Sequence, residues 1–188
     1  MKFIIIGSST GGPRILFNIF TDLPKLHAAI IIIQHMPAST TGRLAKRLNQ
    51  LTANEVVIPE DQTRISQGTV YVAQGDLHLT IENNDILHVK NSEKVNFVRP
   101  SIDVSMFSFQ QDIRHSILGI ILSGMGIDGA EGLAHLKDIG GVTAVQEPST
   151  CTIRSMPEAA LKTDKVDYIY TPEQLKDLIQ KFSESNTP

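Results

Sequence analysis

Short apolar runs alternate along this chain with stretches whose apolar residues recur at helical spacing. Residues 3–6 form a run that stops at Gly7. Residues 13–21 follow, with Ile15, Leu16, Ile19 and Phe20 spaced for one helical face and Pro13 suited to a first helical turn. Residues 28–33 are an unbroken β-rich run, the pattern of a strand buried on both faces. Residues 39–51 predict a second helix, with Leu44, Leu48 and Leu51 on one side. Residues 117–122 predict another buried strand, 129–138 a helix, 142–146 a strand and 166–170 a last strand. Thr171 as N-cap, followed by Pro172, opens a closing helix.

The texture changes in residues 56–90, where strand signals at 69–73, 78–82 and 86–90 come without helices. Asn83-Asn84-Asp85 reads as a turn between two of them, so a short antiparallel β insertion or an extension of the sheet is expected. Residues 101–114 then predict a helix capped by Ser101. Elsewhere the strand–helix alternation predicts an α/β fold, a doubly wound, mainly parallel sheet with helices on both faces. No repeat or low-complexity tract interrupts it. Residues 1–182 are expected to form one domain and 183–188 a frayed tail. In such sheets ligands sit at the carboxyl ends of the strands, and the search for chemistry starts there.

Composition narrows the class. The 188 residues are 41% hydrophobic and 20% charged, as in a globular domain. A net charge of −3 supplies no basic field for nucleic acid. The single cysteine, Cys151, excludes an internal disulfide and suits a reducing compartment. No apolar run approaches the roughly 20 residues of a membrane span, and the first run is too short for a signal peptide. A cytoplasmic protein not embedded in the membrane is expected.

Three predicted strand ends carry reactive groups. The first strand runs into Gly7-Ser8-Ser9-Thr10-Gly11-Gly12 and then a helix, which contains G-x-S-x-G in the strand–turn–helix setting of a nucleophile elbow. The loop lacks the Lys of a Walker loop, and Ser9 stands where a dinucleotide fingerprint needs Gly. A plain anion-binding glycine loop is the alternative. The second strand ends in Gln34-His35-Met36-Pro37, so His35 stands where a general base for Ser9 is needed. Residues 117–122 lead into Ser123-Gly124-Met125-Gly126-Ile127-Asp128-Gly129-Ala130. Asp128 either orients the imidazole or caps the following helix. The backbone N–H of Met125 or Gly126 is a candidate oxyanion donor. The chain order Ser, His, Asp differs from that of α/β-hydrolases and argues against that fold. Arg43, Lys46 and Arg47 form a basic cluster on the second helix, read equally as a docking surface or a solvated face. Cys151 reads as structural rather than nucleophilic.

These segments, with Arg99-Pro100-Ser101-Ile102-Asp103-Val104, residues 68–79, Thr150-Cys151 and Met156-Pro157, resemble the catalytic domain of chemotaxis receptor methylesterases of the CheB type. The resemblance runs from about Lys2 to about Tyr170. It implies Ser9, His35 and Asp128 as the triad. It also implies oxyanion or substrate roles for Thr10, Met125, Gly126 and Arg99. The implied activity is hydrolysis of glutamate methyl esters on the cytoplasmic helices of methyl-accepting receptors, releasing methanol, with glutamine deamidation in some members. No metal or organic cofactor is implied. Family members often carry an N-terminal receiver domain. This chain opens at the first catalytic strand; a stand-alone catalytic domain and a part of a longer chain both stay open. Where the family often has Gly before Met-Pro, this chain has Ser155, preceded by Arg154, in a loop expected at the mouth of the site. Two other functions stay open: a non-catalytic binding module, and a small-molecule esterase on the same scaffold.

Overall fold

The computed structural model describes residues 1–112 and 114–185. In chain order the elements are β1 (Lys2–Ser8), α1 (Gly12–Phe20), β2 (Ala29–Gln34), α2 (Ala38–Asn49), β3 (Glu55–Val57), β4 (Thr63–Arg64), β5 (Thr69–Val72), β6 (His78–Glu82) and β7 (Ile86–Lys90). They continue with α3 (Ile102–Phe107), β8 (Ser116–Ile121), α4 (Ala130–Asp138), β9 (Val142–Gln146), α5 (Ser155–Leu161), β10 (Tyr168–Tyr170) and α6 (Pro172–Glu184). Seven strands form one sheet in the order β10-β9-β8-β1-β2-β5-β3, and every pairing within it is parallel.

Alternation along β1 divides the core in two. Ile4 and Ile6 pack with Leu16, Ile19 and Phe20 of α1, Leu44 and Leu48 of α2, and Leu175 and Ile179 of α6. Phe3 and Ile5 face the other way, into a cluster with Ile102 and Met106 of α3, Leu133 and Leu136 of α4, and Met156 and Ala160 of α5. The expected doubly wound α/β architecture is therefore present. The chain leaves β1 in one direction through β2 and β5 and in the other through β8, β9 and β10. The switch point of the sheet thus falls at β1, and its carboxyl end is where a ligand crevice forms.

Three expectations need correction. The antiparallel insertion exists but is smaller than residues 56–90: it is the three-stranded sheet β4-β7-β6. β5 extends the main sheet, between β2 and β3, the other arrangement that the sequence left open. All four of its residues are buried, which a two-faced central strand requires and an insertion strand with one wet face does not. The helix expected over 101–114 ends at Phe107, and residue 113 of that span lies outside the described residues. Ser108 turns its hydroxyl onto the Ser105 carbonyl (2.6 Å). Phe109 is drawn into the core, its ring edge-on to Phe3 at 5.4 Å. Burying that ring competes with another helical turn and wins. Finally, Ser183 and Glu184 complete α6 rather than fraying. Ser183 is buried and its hydroxyl accepts the His27 N–H (2.7 Å), while Lys2 donates to the Phe182 carbonyl (2.8 Å). Residues 186–188 of the expected tail lie outside the described residues. No helix among the described residues is long and apolar enough to cross a membrane.

Phe109→Ala is expected to lower the unfolding free energy by about 3–5 kcal/mol in a urea titration. A loss below about 1 kcal/mol would show that this ring does not anchor the chain after α3.

Candidate active site

Parallel pairing brings the three strand ends together. Ser8 lies opposite Gln34 and Gly7 opposite Ile121, so Ser9, His35 and the 123–128 loop emerge side by side. The His35 N–H continues the ladder onto the Ser8 carbonyl (3.0 Å), and the Ser9 N–H onto the Ser123 carbonyl (3.0 Å). Gly11 turns the chain into α1 at φ 85°, a conformation that disfavours a side chain. Ser9 makes its hydrogen bonds through its backbone, its carbonyl accepting from Gly12 N–H (2.9 Å) and Gln34 Nε2 (3.0 Å). Its hydroxyl is unengaged among the described residues.

Gln34 is a part of the site that sequence reasoning missed. It is buried at the end of β2, where its side chain accepts the Ser8 hydroxyl (2.6 Å) and donates to the carbonyls of both Ser9 and His35 (3.0 Å each). One amide thus ties the two loops that carry Ser9 and His35. The available signal was a polar residue ending an otherwise apolar run.

His35 bonds Asp128 through Nε2 (2.8 Å to Oδ2). With the carboxylate ionised, Nε2 carries the proton and Nδ1 is the ring nitrogen left to accept one. Asp128 does not cap α4, whose N-cap is Gly129 and has no side-chain cap. Instead it takes donors from the start of α3: Ile102 N–H (2.6 Å), the Ser101 hydroxyl (2.7 Å) and Asp103 N–H (3.3 Å). Asn96 Nδ2 adds another at 2.9 Å. Burial on its own would raise the Asp128 pKa, but the bonds from His35, Asn96, Ile102 and Ser101 outweigh it and hold the carboxyl down to about 2. The group is a fixed negative charge and a hydrogen-bond acceptor, not a proton carrier.

Asp103 lies beside it. Burial, and then the Asp128 charge, push its carboxyl up to about 6 against the opposing Gly132 N–H bond. Asn96 Nδ2 bridges the two acids, donating to Asp103 Oδ2 (2.8 Å) as well as to Asp128. Asn96 reaches them from a tight turn closed by Val95 and Val98, where Asn96 and Phe97 both have positive φ. His78 is buried beneath: its Nδ1 accepts the Ser101 N–H (3.1 Å), and its Nε2 bonds the Glu93 carbonyl (2.9 Å). Sequence reasoning gave Asn96, Asp103 and His78 no role of their own, although Asp103 and His78 lie in segments that carry the resemblance. They lie far from the strand ends in the chain, and only packing gathers them.

The remaining candidates separate. Thr10 is exposed, and neither its N–H nor that of Met125 has an acceptor among the described residues. The Gly126 N–H is already bonded to the Ser155 hydroxyl (3.1 Å), which leaves Met125 as the free donor of that pair. Arg99, like Ser9 and Thr10, is not among the residues that line the crevice beside His35; its guanidinium donates to the Ser92 carbonyl. That crevice is about 180 Å³, lined by His35, Asn96, Phe97, Met125 and Ile127 among others. Phe97, Met125 and Ile127 are exposed at 94%, 72% and 66%, an apolar rim around a polar centre. Arg43, Lys46 and Arg47 lie on the exposed face of α2. The Cys151 thiol is pushed up to about 11 by burial and by Glu158, so it stays protonated and is a poor nucleophile.

A serine on a glycine-rich elbow, an imidazole bonded to a buried carboxylate, and free amides nearby make up the constellation of a serine hydrolase on a doubly wound α/β scaffold. Comparison with known proteins gives the family: the profile described as CheB methylesterase matches residues 4–179, and the chain belongs to that family. A protein-glutamate methylesterase/protein-glutamine glutaminase of Clostridium acetobutylicum is 36% identical over 182 residues, covering 96% of this chain and 53% of that protein. One of the same description from Haloarcula marismortui is 39% identical, covering 93% of this chain and 48% of its own length. The chain thus spans about half the length of the curated relatives it matches. The crystal structure of the Thermotoga maritima CheB methylesterase catalytic domain superposes with a TM-score of 0.85 at 34% identity, covering 95% of this chain and 98% of that one.

The two acids give stability opposite pH dependences. Asp128, held below its ordinary 3.8, contributes stability above that value and loses it as pH falls through about 2. Asp103, raised, favours the fold below 3.8, and that contribution is lost as pH rises through about 6. The unfolding free energy of Asp103→Asn is therefore expected to fall less over this interval than that of the unaltered protein. Equal slopes in the two proteins would remove Asp103 as the source.

Proposed function

We propose that this chain hydrolyses glutamate methyl esters on helical receptor segments of the chemotaxis type, releasing methanol, with Ser9 as nucleophile, His35 as base and Asp128 orienting the base. The observation that carries this reading is the His35–Asp128 bond at the strand end next to Ser9, with the Ser9 hydroxyl unengaged. The names of the relatives, protein-glutamate methylesterase/protein-glutamine glutaminase, supply the substrate class and suggest that the same site takes glutamine.

His35 Nδ1 takes the Ser9 proton as the hydroxyl oxygen bonds the ester carbonyl carbon. The tetrahedral oxyanion is met by the free N–H groups of Thr10 and Met125, near the positive end of α1. The carbon–methoxy bond breaks, and methanol leaves with the proton from His35. Water then attacks the acyl-enzyme by the same route, restoring Ser9 and releasing a glutamate carboxylate. Asp128, already ionised and saturated with donors, keeps Nε2 protonated throughout. No step calls on a metal or organic cofactor. A glutamine amide would follow the same course with ammonia as the leaving group.

The first test is methanol release from a methylated receptor cytoplasmic fragment. Release is expected from the unaltered protein and should vanish in Ser9→Ala; release that survives in Ser9→Ala would overturn the assignment of the nucleophile. Asp128→Asn is expected to lower kcat by roughly 10³–10⁴-fold while the protein stays folded, because the imidazole loses the acceptor that fixes its tautomer. Near-normal turnover in that variant would take Asp128 out of the mechanism.

A further inference from the structure

Ser155 opens α5 but does not cap it: the N-cap position is Arg154, and no side chain caps this helix. A hydroxyl at a helix start ordinarily bonds the helix's own amides. This one reaches across to the 123–126 turn, donating to the Gly124 carbonyl (3.0 Å) and accepting the Gly126 N–H (3.1 Å). Both contacts lie on one turn and flank Met125 on either side.

The rest of the segment fastens the same turn. Gly124 N–H donates to the Ile153 carbonyl (2.9 Å), and Met156 N–H to the Gly124 carbonyl (3.1 Å). The Ser123 hydroxyl shares its single proton between the Thr10 and Ile153 carbonyls (2.8 and 3.1 Å) and accepts the Ile153 N–H (3.0 Å). Gly124 is packed directly on the nucleophile, since a Cβ there would lie 2.8 Å from the Ser9 Cβ. Gly126 is different. Nothing lies within 4 Å of the position its Cβ would take, but its φ of 100° calls for glycine. Sterics therefore do not hold the outer half of the turn, and the Ser155 hydroxyl is the side chain that bonds it.

We propose that Ser155 is a positioning residue that selects the oxyanion donor of this site: by engaging the Gly126 N–H and the Gly124 carbonyl, it holds the turn with the Met125 N–H free beside Ser9. The proposal rests on the esterase reading above. In the absence of the hydroxyl, the Gly126 amide competes with Met125 for the same role and the peptide between Gly124 and Gly126 gains freedom. A donor aimed in advance stabilises developing charge better than one that must reorganise. The effect falls on the transition state, so kcat changes more than KM.

The test compares Ser155→Ala and Ser155→Thr with the unaltered protein on the methylated receptor fragment, together with amide hydrogen exchange at Gly126 read by NMR. Ser155→Ala is expected to lower kcat about five- to tenfold with KM within about twofold, in line with one neutral hydrogen bond. Ser155→Thr, which keeps the hydroxyl, is expected to restore it. Exchange at Gly126 should quicken in the Ala variant alone, with circular dichroism unchanged. Unaltered kcat in Ser155→Ala, or Gly126 exchange equal in all three proteins, overturns the proposal while leaving the esterase standing. Absence of Ser9-dependent methanol release from the unaltered protein overturns both, with the exchange data then reporting the clamp as structural only.

Discussion

The carboxylate of Asp128 is the interaction on which the rest of the site depends. Ionised and 3% exposed, it would be costly to bury without partners. Its partners come from three places in the chain: the imidazole after β2, the amide on the 95–98 turn, and the hydroxyl and backbone amides that start α3. The one charge thus orients the His35 imidazole, fixes the entry of α3 against the sheet and anchors the turn that presents Phe97. A helix start used in this way serves the carboxylate twice, through direct N–H bonds and through the local positive end of the peptide dipoles. It also explains why a glycine rather than an acid caps α4: the acid next to it in sequence is committed elsewhere.

The parallel sheet supplies what the carboxylate cannot, a rigid spacing between Ser9 and His35. β1 is paired on both sides, so the positions of Ser9 and His35 follow from strand register rather than from loop conformation. Gln34 converts that register into loop geometry by bonding the carbonyls on both sides of the gap. Precision at the reacting atoms is thereby inherited from buried hydrogen bonds several ångströms away.

Much of this was legible in the sequence because it is local. The runs that became β1, β2 and β8 are continuous and apolar, and the polar residues that follow each one fall at the same end of a parallel sheet. That logic brought Ser9, His35 and Asp128 together without coordinates. What failed was non-local. Residues 69–72 have the composition of a central strand, but their neighbours in sequence are hairpin strands, and only pairing with β2 distinguishes the two. α3 stops early because a distant ring, Phe3, offers Phe109 a better place than a helical surface does. Asp128 was open to two roles, and the helix it touches proved to be one that precedes it by more than twenty residues.

The pairing of β1 with β8 carries a further consequence, for the order in which the molecule acquires its parts. His35 and Asp128 are 93 residues apart in the chain, and the Ser123 hydroxyl meets the Thr10 carbonyl across 113. Such contacts close long loops, whose entropy must be lost before the contact repays it, so they form late in folding. A partly folded chain with β1, β2 and their helices in place would hold the serine and the imidazole, but no carboxylate and no Met125 amide. The grouping of Ser9, His35 and Asp128 is therefore also a sensor of completed folding: no compact fragment short of β8 contains it.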